Sequence, residues 1–194
     1  MTDQGVTLRV DDAQVRDAVE AAVALGADPS EITRRISDYL KQSTDERFET
    51  ETDPSGVRWT ALRPRTIAAR RRKGHIPISI LTETGVMRSQ NVPFFDNTVA
   101  GVGTNNVYAR IHQLGGTIDV EARTQTIYQR YDAKTAELQP RFVRKRRSNF
   151  ARDVAVGAHE ITIPAREFLG FSDADRARCI AIAAEVMDES MGVS

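Results

Sequence analysis

The side chains that could carry catalysis or bind a metal are few in this sequence, and they are widely spaced. The chain of 194 residues has three histidines, His75, His112 and His159, and one cysteine, Cys179. A metal site needs several such ligands at short spacing, and a general base needs a nucleophile or substrate within hydrogen-bond reach. The sequence offers neither arrangement, and it also lacks the glycine-rich phosphate loop and the G-x-S-x-G nucleophile elbow. We therefore predict that the protein is not an enzyme and that it uses no cofactor and no metal.

His112 and Cys179 are better explained as structural residues. Catalysis by His112 would need a partner that the sequence does not place beside it. We instead expect His112 and Gln113 to hydrogen-bond backbone groups as a pair where a helix meets a strand. Cys179 lies in the predicted last helix, where a free cysteine behaves as a small buried apolar residue. A single cysteine also permits no internal disulfide, which fits a reducing cytosol.

Charged side chains are unevenly distributed, although the formal net charge is zero. Residues 1–56 hold thirteen acidic against six basic side chains, and residues 153–194 hold eight against three. Residues 57–75 hold seven basic side chains and no acidic one, and residues 121–152 hold nine basic against three acidic. Alternating blocks of charge suit subunits that meet head to tail, acidic face on basic face. The alternative is that these faces are solvated or are paired within one molecule.

One basic segment raises nucleic-acid binding as the alternative function. Arg141–Arg152 interleaves basic side chains with Phe142 and Phe150, which could clamp phosphates and stack on bases. The neutral net charge and the acidic flanking segments oppose non-specific association. A basic run of this kind is more often solvated or docked on an acidic partner, so we rank this function second.

Helices are predicted to position these groups, beginning with a helical N-terminal part at residues 11–52. An apolar stripe runs through residues 15–23, as in a helix with one buried face. Asp28 precedes a proline and can cap a second helix that runs to about Thr50. Pro64 can begin a central helix.

Two short segments are dense in residues with structural roles. In Val107–Gly116, Tyr108 and Leu114 fall on one helical face and are predicted to be core, and Gly115 and Gly116 stop the helix.

In Ile163–Ser172, Pro164 should end a strand, Phe168 and Leu169 should be buried, and Gly170 should form a bend. The last residue of this segment should cap the final helix. That helix, Asp173–Glu189, is predicted to bury Ile180, Ala183, Ala184 and Met187.

The segments between these helices are predicted to be strands and loops. Asn91–Asn97 is interpreted as a mobile loop whose aromatic residues contact another subunit or fold back over the core. Thr124–Tyr131 and Glu137–Val143 alternate polar with apolar residues and are predicted to form a hairpin. Because both arms are polar, the hairpin should project or cover a neighbour's edge. Val154–Ile163 is predicted to be a single strand. The expected contact residues are Pro93, Phe94, Phe95, Tyr128, Tyr131, Arg144, Lys145, Arg146 and Arg147.

These elements predict an α+β fold in a single domain, residues 1–194. A small, mostly antiparallel twisted sheet is packed by N-terminal, central and C-terminal helices, and residues 117–157 form an inserted hairpin and basic connector. No stretch reaches the roughly 20 apolar residues of a membrane span, and the acidic amino terminus does not resemble a signal peptide. We therefore expect no membrane partner.

Four motifs in this order resemble the virion-morphogenesis family of Mu-like and other tailed bacteriophages, also called tail-completion proteins. They are D-P-x-G-x-x-W-x-x-L-x-P-R-T from Asp53, L-x-x-T-G-x-M-R from Leu81, V-G-x-x-x-x-Y-A-x-I-H-Q-x-G-G from Val102, and I-P-A-R-x-F-L-G-x-S from Ile163. The departure is Glu167, where a small residue or a proline is expected. The motif residues to which we give structural roles are Trp59, Gly85, Tyr108, His112, Gln113, Gly115, Gly116, Pro164, Arg166, Phe168, Leu169 and Gly170.

The resemblance implies a structural virion protein of a tailed phage or prophage, assembled in the cytoplasm of the bacterial host. Such proteins form rings, as hexamers, at the head–tail junction, where they complete the tail or neck so that head and tail can join. The implied partners are other copies of the chain, the tail tube or tail terminator, and the head-side connector. DNA would pass through the channel of the ring without specific binding.

Overall fold

The chain has an α+β fold, which confirms the predicted class. A computed structural model describes residues 5–192. Contacts divide this part of the chain into two compact units. The first unit comprises the described residues up to 116 together with those from 164 onward, and the second comprises residues 117–163. The chain therefore leaves the first unit and returns to it, and the second unit contains the whole of the expected insertion at 117–157 together with residues 158–163.

Helices dominate the first unit, and local sequence signals explain where they begin. Asp12 accepts hydrogen bonds from the first turn of the N-terminal helix, and Asp28 accepts one from Ser30 N at 2.9 Å. Ser172 and Asp175 form a reciprocal capping box. The predicted caps at Asp28 and Ser172 are confirmed. The helices are α1 Ala13–Ala24, α2 Pro29–Thr50, α3 Pro64–Lys73, α4 Val86–Ser89, α5 Ala109–Leu114 and α6 Asp173–Ser190.

A three-stranded antiparallel sheet lies beside α2 in the first unit. Its strands are β1 Val6–Arg9, β2 Val92–Phe95 and β3 Ala100–Thr104, in the order β1-β3-β2.

The prediction of a mobile loop at Asn91–Asn97 is wrong, because most of that segment is β2. Pro93 is tolerated because β2 is an edge strand. Gly101 lies opposite Phe94, and a Cβ on Gly101 would fall 2.4 Å from the Phe94 ring.

The core of the first unit lies between α2, α6, α1 and the sheet. The buried apolar residues of α2 are Ile32, Ile36, Leu40 and Phe48. The predicted face of α6 is partly wrong, since Ala184 is exposed and Ile180 and Met187 are only half-buried. The buried face is formed by Asp175, Cys179, Ile182, Ala183 and Val186. The pattern of apolar residues did not predict which face of α6 is buried. The first residue of that face is Asp175, whose carboxylate pairs with a side chain of α2.

Strands form the second unit, with a pairing that differs from the prediction. β5 Arg123–Gln129 pairs with β8 Phe150–Val156 over its full length. The predicted return strand Glu137–Val143 is mostly wrong. Only its first two residues form a strand, β7 Glu137–Leu138, which pairs with β6 Tyr131–Asp132. A period-two pattern marks a strand without specifying its partner, which explains the error.

The remaining strands of the second unit, β4 Gly116–Val120 and β9 His159–Ile163, pair with each other. The single strand predicted at Val154–Ile163 is therefore wrong, because Gly157 lies outside any strand and separates β8 from β9. The basic connector contains a short 3-10 helix, Lys145–Arg147. Strand β9 ends directly before Pro164, as predicted.

Neither a metal centre nor a membrane span is visible in residues 5–192. No group of three or more His, Cys, Asp or Glu side chains in this part is arranged to hold a metal ion. None of the helices described is both long and apolar enough to cross a bilayer.

Candidate functional site

The motif residues of the first unit meet around one irregular segment, residues 166–170, which connects Pro164 to α6. Phe168 and Leu169 are buried there outside any strand, so their backbone groups need side-chain partners. Gln113 supplies three of these bonds. Its Nε2 donates to Leu169 O at 2.6 Å, and its Oε1 accepts from Phe168 N at 3.1 Å and Leu169 N at 3.0 Å. Gln113 therefore bonds to backbone groups, as predicted, but its partners lie in an irregular segment and not where a helix meets a strand.

Two residues of the first motif, Trp59 and Pro54, contact the same segment. Trp59 Nε1 donates to Glu167 O at 3.0 Å, and the Trp59 ring meets the Phe48 ring edge-on at a centroid distance of 5.7 Å. Phe48 in turn lies 5.2 Å from Phe168, ring centre to ring centre. A Cβ on Gly170 would fall 2.1 Å from the Pro54 ring, so the absent side chain permits this close approach. These contacts join the first and last motifs into one packed unit.

A buried ion pair holds the segment from the side of α2. Arg47 Nη2 lies 2.7 Å from Asp175 Oδ2, and Arg47 Nη1 donates to Phe168 O at 3.2 Å and to Gly170 O at 2.9 Å. Asp175 Oδ1 accepts from the hydroxyls of Tyr39 at 2.9 Å and Ser43 at 2.7 Å. The buried charges are thus paired and hydrogen-bonded on both sides, as burial requires.

The electrostatics of this pair follow from burial and hydrogen bonding. Burial alone would raise the pKa of Asp175, but hydrogen bonds from Ser172 and Ser43 and the charge of Arg47 hold it below its ordinary value. Burial and the bond to Asp175 raise the pKa of Tyr39 to about 12. Sequence reasoning missed the Arg47–Asp175 pair. Its one local signal is that Arg47 falls beside Phe48 and three residues after Thr44 on the buried face of α2.

His112 differs from the prediction. Its backbone O accepts from Arg166 N at 2.7 Å, but its ring Nδ1 is buried without a hydrogen-bond partner among the described residues. Burial, with a smaller contribution from the Arg166 charge, lowers the pKa of His112, which keeps the ring neutral near pH 7. The prediction that its side chain pairs with backbone groups is wrong. The ring also has no ion pair with a carboxylate of residues 5–192 that could orient it as a base.

The prediction that Tyr108 and Leu114 belong to the core is also wrong, since each is 63% exposed. Ala109 and Gln113 form the inward face of α5 instead, one helical turn apart. Gln113 must face inward to reach residues 168 and 169, and this orientation turns the two large side chains toward solvent. Phe168 and Leu169 are buried, as predicted. Gly115, with φ of 69°, ends the helix as predicted.

The expected contact residues differ in exposure. Pro93, Phe94 and Tyr128 are half-buried, whereas Phe95 and Tyr131 are exposed. The basic cluster, defined as Arg144, Lys145, Arg146 and Arg147, is exposed throughout.

Three members of the basic cluster, Arg144, Arg146 and Arg147, border a recess of about 710 Å³ in the second unit. The other charged residues that line the recess are Arg130 and Arg141, and Phe142 also borders it. None of the nine basic side chains of residues 121–152 forms an ion pair with any residue that the structure describes. Five guanidinium groups around one recess repel one another unless an anionic partner or counterions screen them. The second unit therefore offers a cationic surface for a partner.

Comparison with known proteins identifies the class to which these features belong. The model of the phage virion morphogenesis family matches residues 10–188, so the chain belongs to this family. The predicted resemblance is confirmed, and it identifies a bacteriophage protein of virion assembly. In particular, the chain is 36% identical over 93 residues to the putative capsid assembly protein G of Escherichia phage Mu. That alignment covers 47% of this chain and 60% of the Mu protein. No solved structure matches.

Proposed function

We propose that the chain is a structural, non-enzymatic component of a tailed-phage or prophage virion. It assembles as a ring, a hexamer, at the head–tail junction and completes the tail or neck so that head and tail can join. Its neighbours are other copies of the chain, the tail tube or terminator, and the head-side connector. The name of the Mu relative, a putative capsid assembly protein, supports a place at the capsid side of this junction.

The observation that carries the proposal is the family match over residues 10–188, because it spans both units of the structure. The exposed basic cluster adds physical support. A heterologous contact between unlike surfaces closes into a ring when its rotation permits. A chain with no net charge but with unpaired cations on one unit and surplus acids in its first 56 residues has such unlike surfaces.

The proposal is tested in a phage or prophage strain from which the gene is deleted. Electron microscopy of the lysate should show complete heads and complete tails that are not joined, and the wild-type gene supplied in trans should restore whole particles. A variant with Arg144, Lys145, Arg146 and Arg147 changed to Glu should fold but fail to restore them. Whole, infectious particles from the deletion strain would show that the assigned role is wrong.

A matched control separates the basic cluster from charge in general. Arg58, Arg63, Arg71 and Arg72 are exposed in the first unit and form no ion pair with a described residue. Changing these four to Glu reverses the same charge elsewhere and should leave restoration intact. Equal loss in both variants would mean that net charge, rather than the basic cluster, governs assembly.

Direct nucleic-acid binding is a second candidate function, favoured by the recess lined with arginine and Phe142. It predicts association with duplex or single-stranded DNA that weakens steeply as salt rises, because phosphate contacts release counterions. Anisotropy titrations of a labelled oligonucleotide at about 50 and about 200 mM salt would measure it, since several phosphate contacts make the two affinities differ strongly.

A further inference from the structure

A second large recess lies in the first unit, beside α1. It has a volume of about 720 Å³ and is bounded by α1, the start of α2 and the turn at Asn97–Thr98. Apolar side chains line its floor, among them Val15, Val19 and Ile36. Val23, also on its wall, is 38% exposed. We call this recess the α1 groove.

The rim of the α1 groove is acidic. Asp11, Asp12 and Glu20 line it, against one basic residue, Arg16. Asp12 already caps α1 and pairs with Arg176 at 2.7 Å. Asp11 pairs with Arg16 at 2.5 Å, but both side chains are more than half exposed, and such pairs exchange partners at little cost. Glu20 forms no ion pair with any residue in the described range. Two carboxylates are therefore available to a cationic ligand.

The chain itself contains a segment of the opposite character. Phe142 is 65% exposed and stands between Arg141 and the basic cluster, on a recess whose described lining contains no acidic side chain. A large aromatic residue with this exposure, flanked by arginine, is the usual composition of an interface anchor. Arginine also packs its aliphatic stem on apolar surface while its guanidinium reaches a carboxylate.

We propose that Phe142 of one copy inserts into the α1 groove of a second copy, with the flanking arginines on Asp11 and Glu20. The contact is heterologous, because the two surfaces differ, and each copy retains one free groove and one free Phe142 segment for the next neighbour. The inference rests on the proposed function in one respect, which is that copies of the chain meet in the virion.

Charge and shape together favour a second copy over DNA as the partner. Phosphate alone would account for the arginines but would not account for an apolar groove with an acidic rim, which repels nucleic acid. A second copy accounts for both surfaces with one contact. DNA on the basic recess is therefore the competing outcome that the experiment must detect.

Cross-linking between two different single variants tests the contact directly. Phe142→Cys and Val23→Cys proteins with different affinity tags are mixed and treated with a short bismaleimide, in solution and in cells that produce phage. Because each chain carries one engineered cysteine, a 142–23 product can form only between copies. Native Cys179 is fully buried and does not compete. We expect the heterodimer, identified by peptide mass spectrometry, and little product from either variant alone.

Matched positions and charge exchange make the test specific. Val57→Cys in place of Phe142→Cys, and Ala21→Cys in place of Val23→Cys, put exposed cysteines outside the proposed contact and should lower the yield about tenfold. Asp11→Lys/Glu20→Lys and Arg144→Glu/Arg146→Glu should each lose self-association, whereas their mixture should associate, because opposite charges again face each other. Phe142→Ala should raise the dissociation constant about tenfold or more, as for an interface anchor.

The outcomes separate this inference from the proposed function. Absence of the 142–23 product both in solution and in cells would overturn the inference, as would equal yield from the control positions. Salt-sensitive DNA binding that Arg144→Glu/Arg146→Glu abolishes, without the cross-link, would assign the recess to nucleic acid. Unjoined heads and tails in the deletion strain would support the proposed function even if the cross-link failed. A cross-link without that defect would support the contact and reject the proposed function.

Discussion

Replacing Gln113 by alanine should destabilise the first unit more than alanine replacement of any other side chain on α5. The side chain makes three hydrogen bonds to the backbone of Phe168 and Leu169, which are buried and lie outside any strand. Alanine keeps the helix but supplies neither the donor nor the acceptor. Two N–H groups and one carbonyl would then be left without their partners.

The magnitude follows from these three groups. Each buried polar group left unsatisfied costs about 1–3 kcal/mol, so three give an upper bound of about 9 kcal/mol. Water can enter the space vacated by the amide and recover part of this, which brings the expected loss to about 3–5 kcal/mol. That is a large part of the roughly 5–15 kcal/mol that stabilises a typical domain.

Trp59 provides the assay. It is the single tryptophan of the chain, it is buried, and its indole N–H bonds to Glu167 O within the same segment. Its fluorescence during urea unfolding therefore reports on the unit that the substitution perturbs. The free energy of unfolding should fall by the stated amount with little change in the slope against urea.

Two further variants refine the test. Gln42 is exposed on α2, so Gln42→Ala should change the free energy of unfolding by about 0.5 kcal/mol or less. Gln113→Glu keeps the size and one acceptor but places a carboxylate against Leu169 O, so it should destabilise at pH 7 and less so in acid. A loss below about 1 kcal/mol for Gln113→Ala would refute the argument that these backbone groups depend on Gln113.

Three other changes test the same region. Phe168→Ala should lower the free energy of unfolding, measured by urea titration, by about 3–5 kcal/mol because the ring is fully buried. Leu114 is exposed, so Leu114→Ala should lower it by about 0.5 kcal/mol or less. Because the pKa of Asp175 is lowered in the folded state, its carboxylate stabilises the fold at pH values above its ordinary pKa of 3.8. This stabilisation is lost as the pH falls through the folded pKa. The loss in free energy of unfolding caused by Asp175→Asn should therefore become smaller below about pH 4. A loss that does not change with pH would contradict this. Gly170→Ala should lower the melting temperature, because its methyl group would overlap a proline ring, whereas Gly157→Ala meets nothing within 4 Å and should not.

Much of the helical architecture could be predicted from the sequence, because the signals that begin and end helices act within a few residues. Asp28 before a proline, and Ser172 with Asp175, give the same helix starts in the sequence and in the structure. Strand pairing could not be predicted in this way. The alternation in β5 is satisfied equally by a return strand at 137–143 or at 150–156, and only tertiary contacts select the second.

The sequence indicated that Gln113 bonds to backbone groups but not which ones, and it did not indicate which distant side chains meet. Gln113 was identified from its place near the end of a predicted helix, two residues before a glycine pair. Arg47 and Asp175 are 128 residues apart, and nothing near either one indicates the other. The exposure of Tyr108 was missed for a related reason, since an apolar spacing cannot reveal that a glutamine needs the inward position.

The bond between Arg166 N and His112 O has a consequence for how this chain can diversify. Both residues belong to the first unit, and they stand just outside the two points where the chain departs from it and returns, after residue 116 and before residue 164. The two stems are thereby held at 2.7 Å by groups that do not depend on the inserted strands. We therefore expect insertions and deletions between the stems to leave the core of the first unit unchanged. Replacing residues 117–163 by a short glycine-serine loop should therefore yield a scaffold on which attachment segments from other phages can be exchanged.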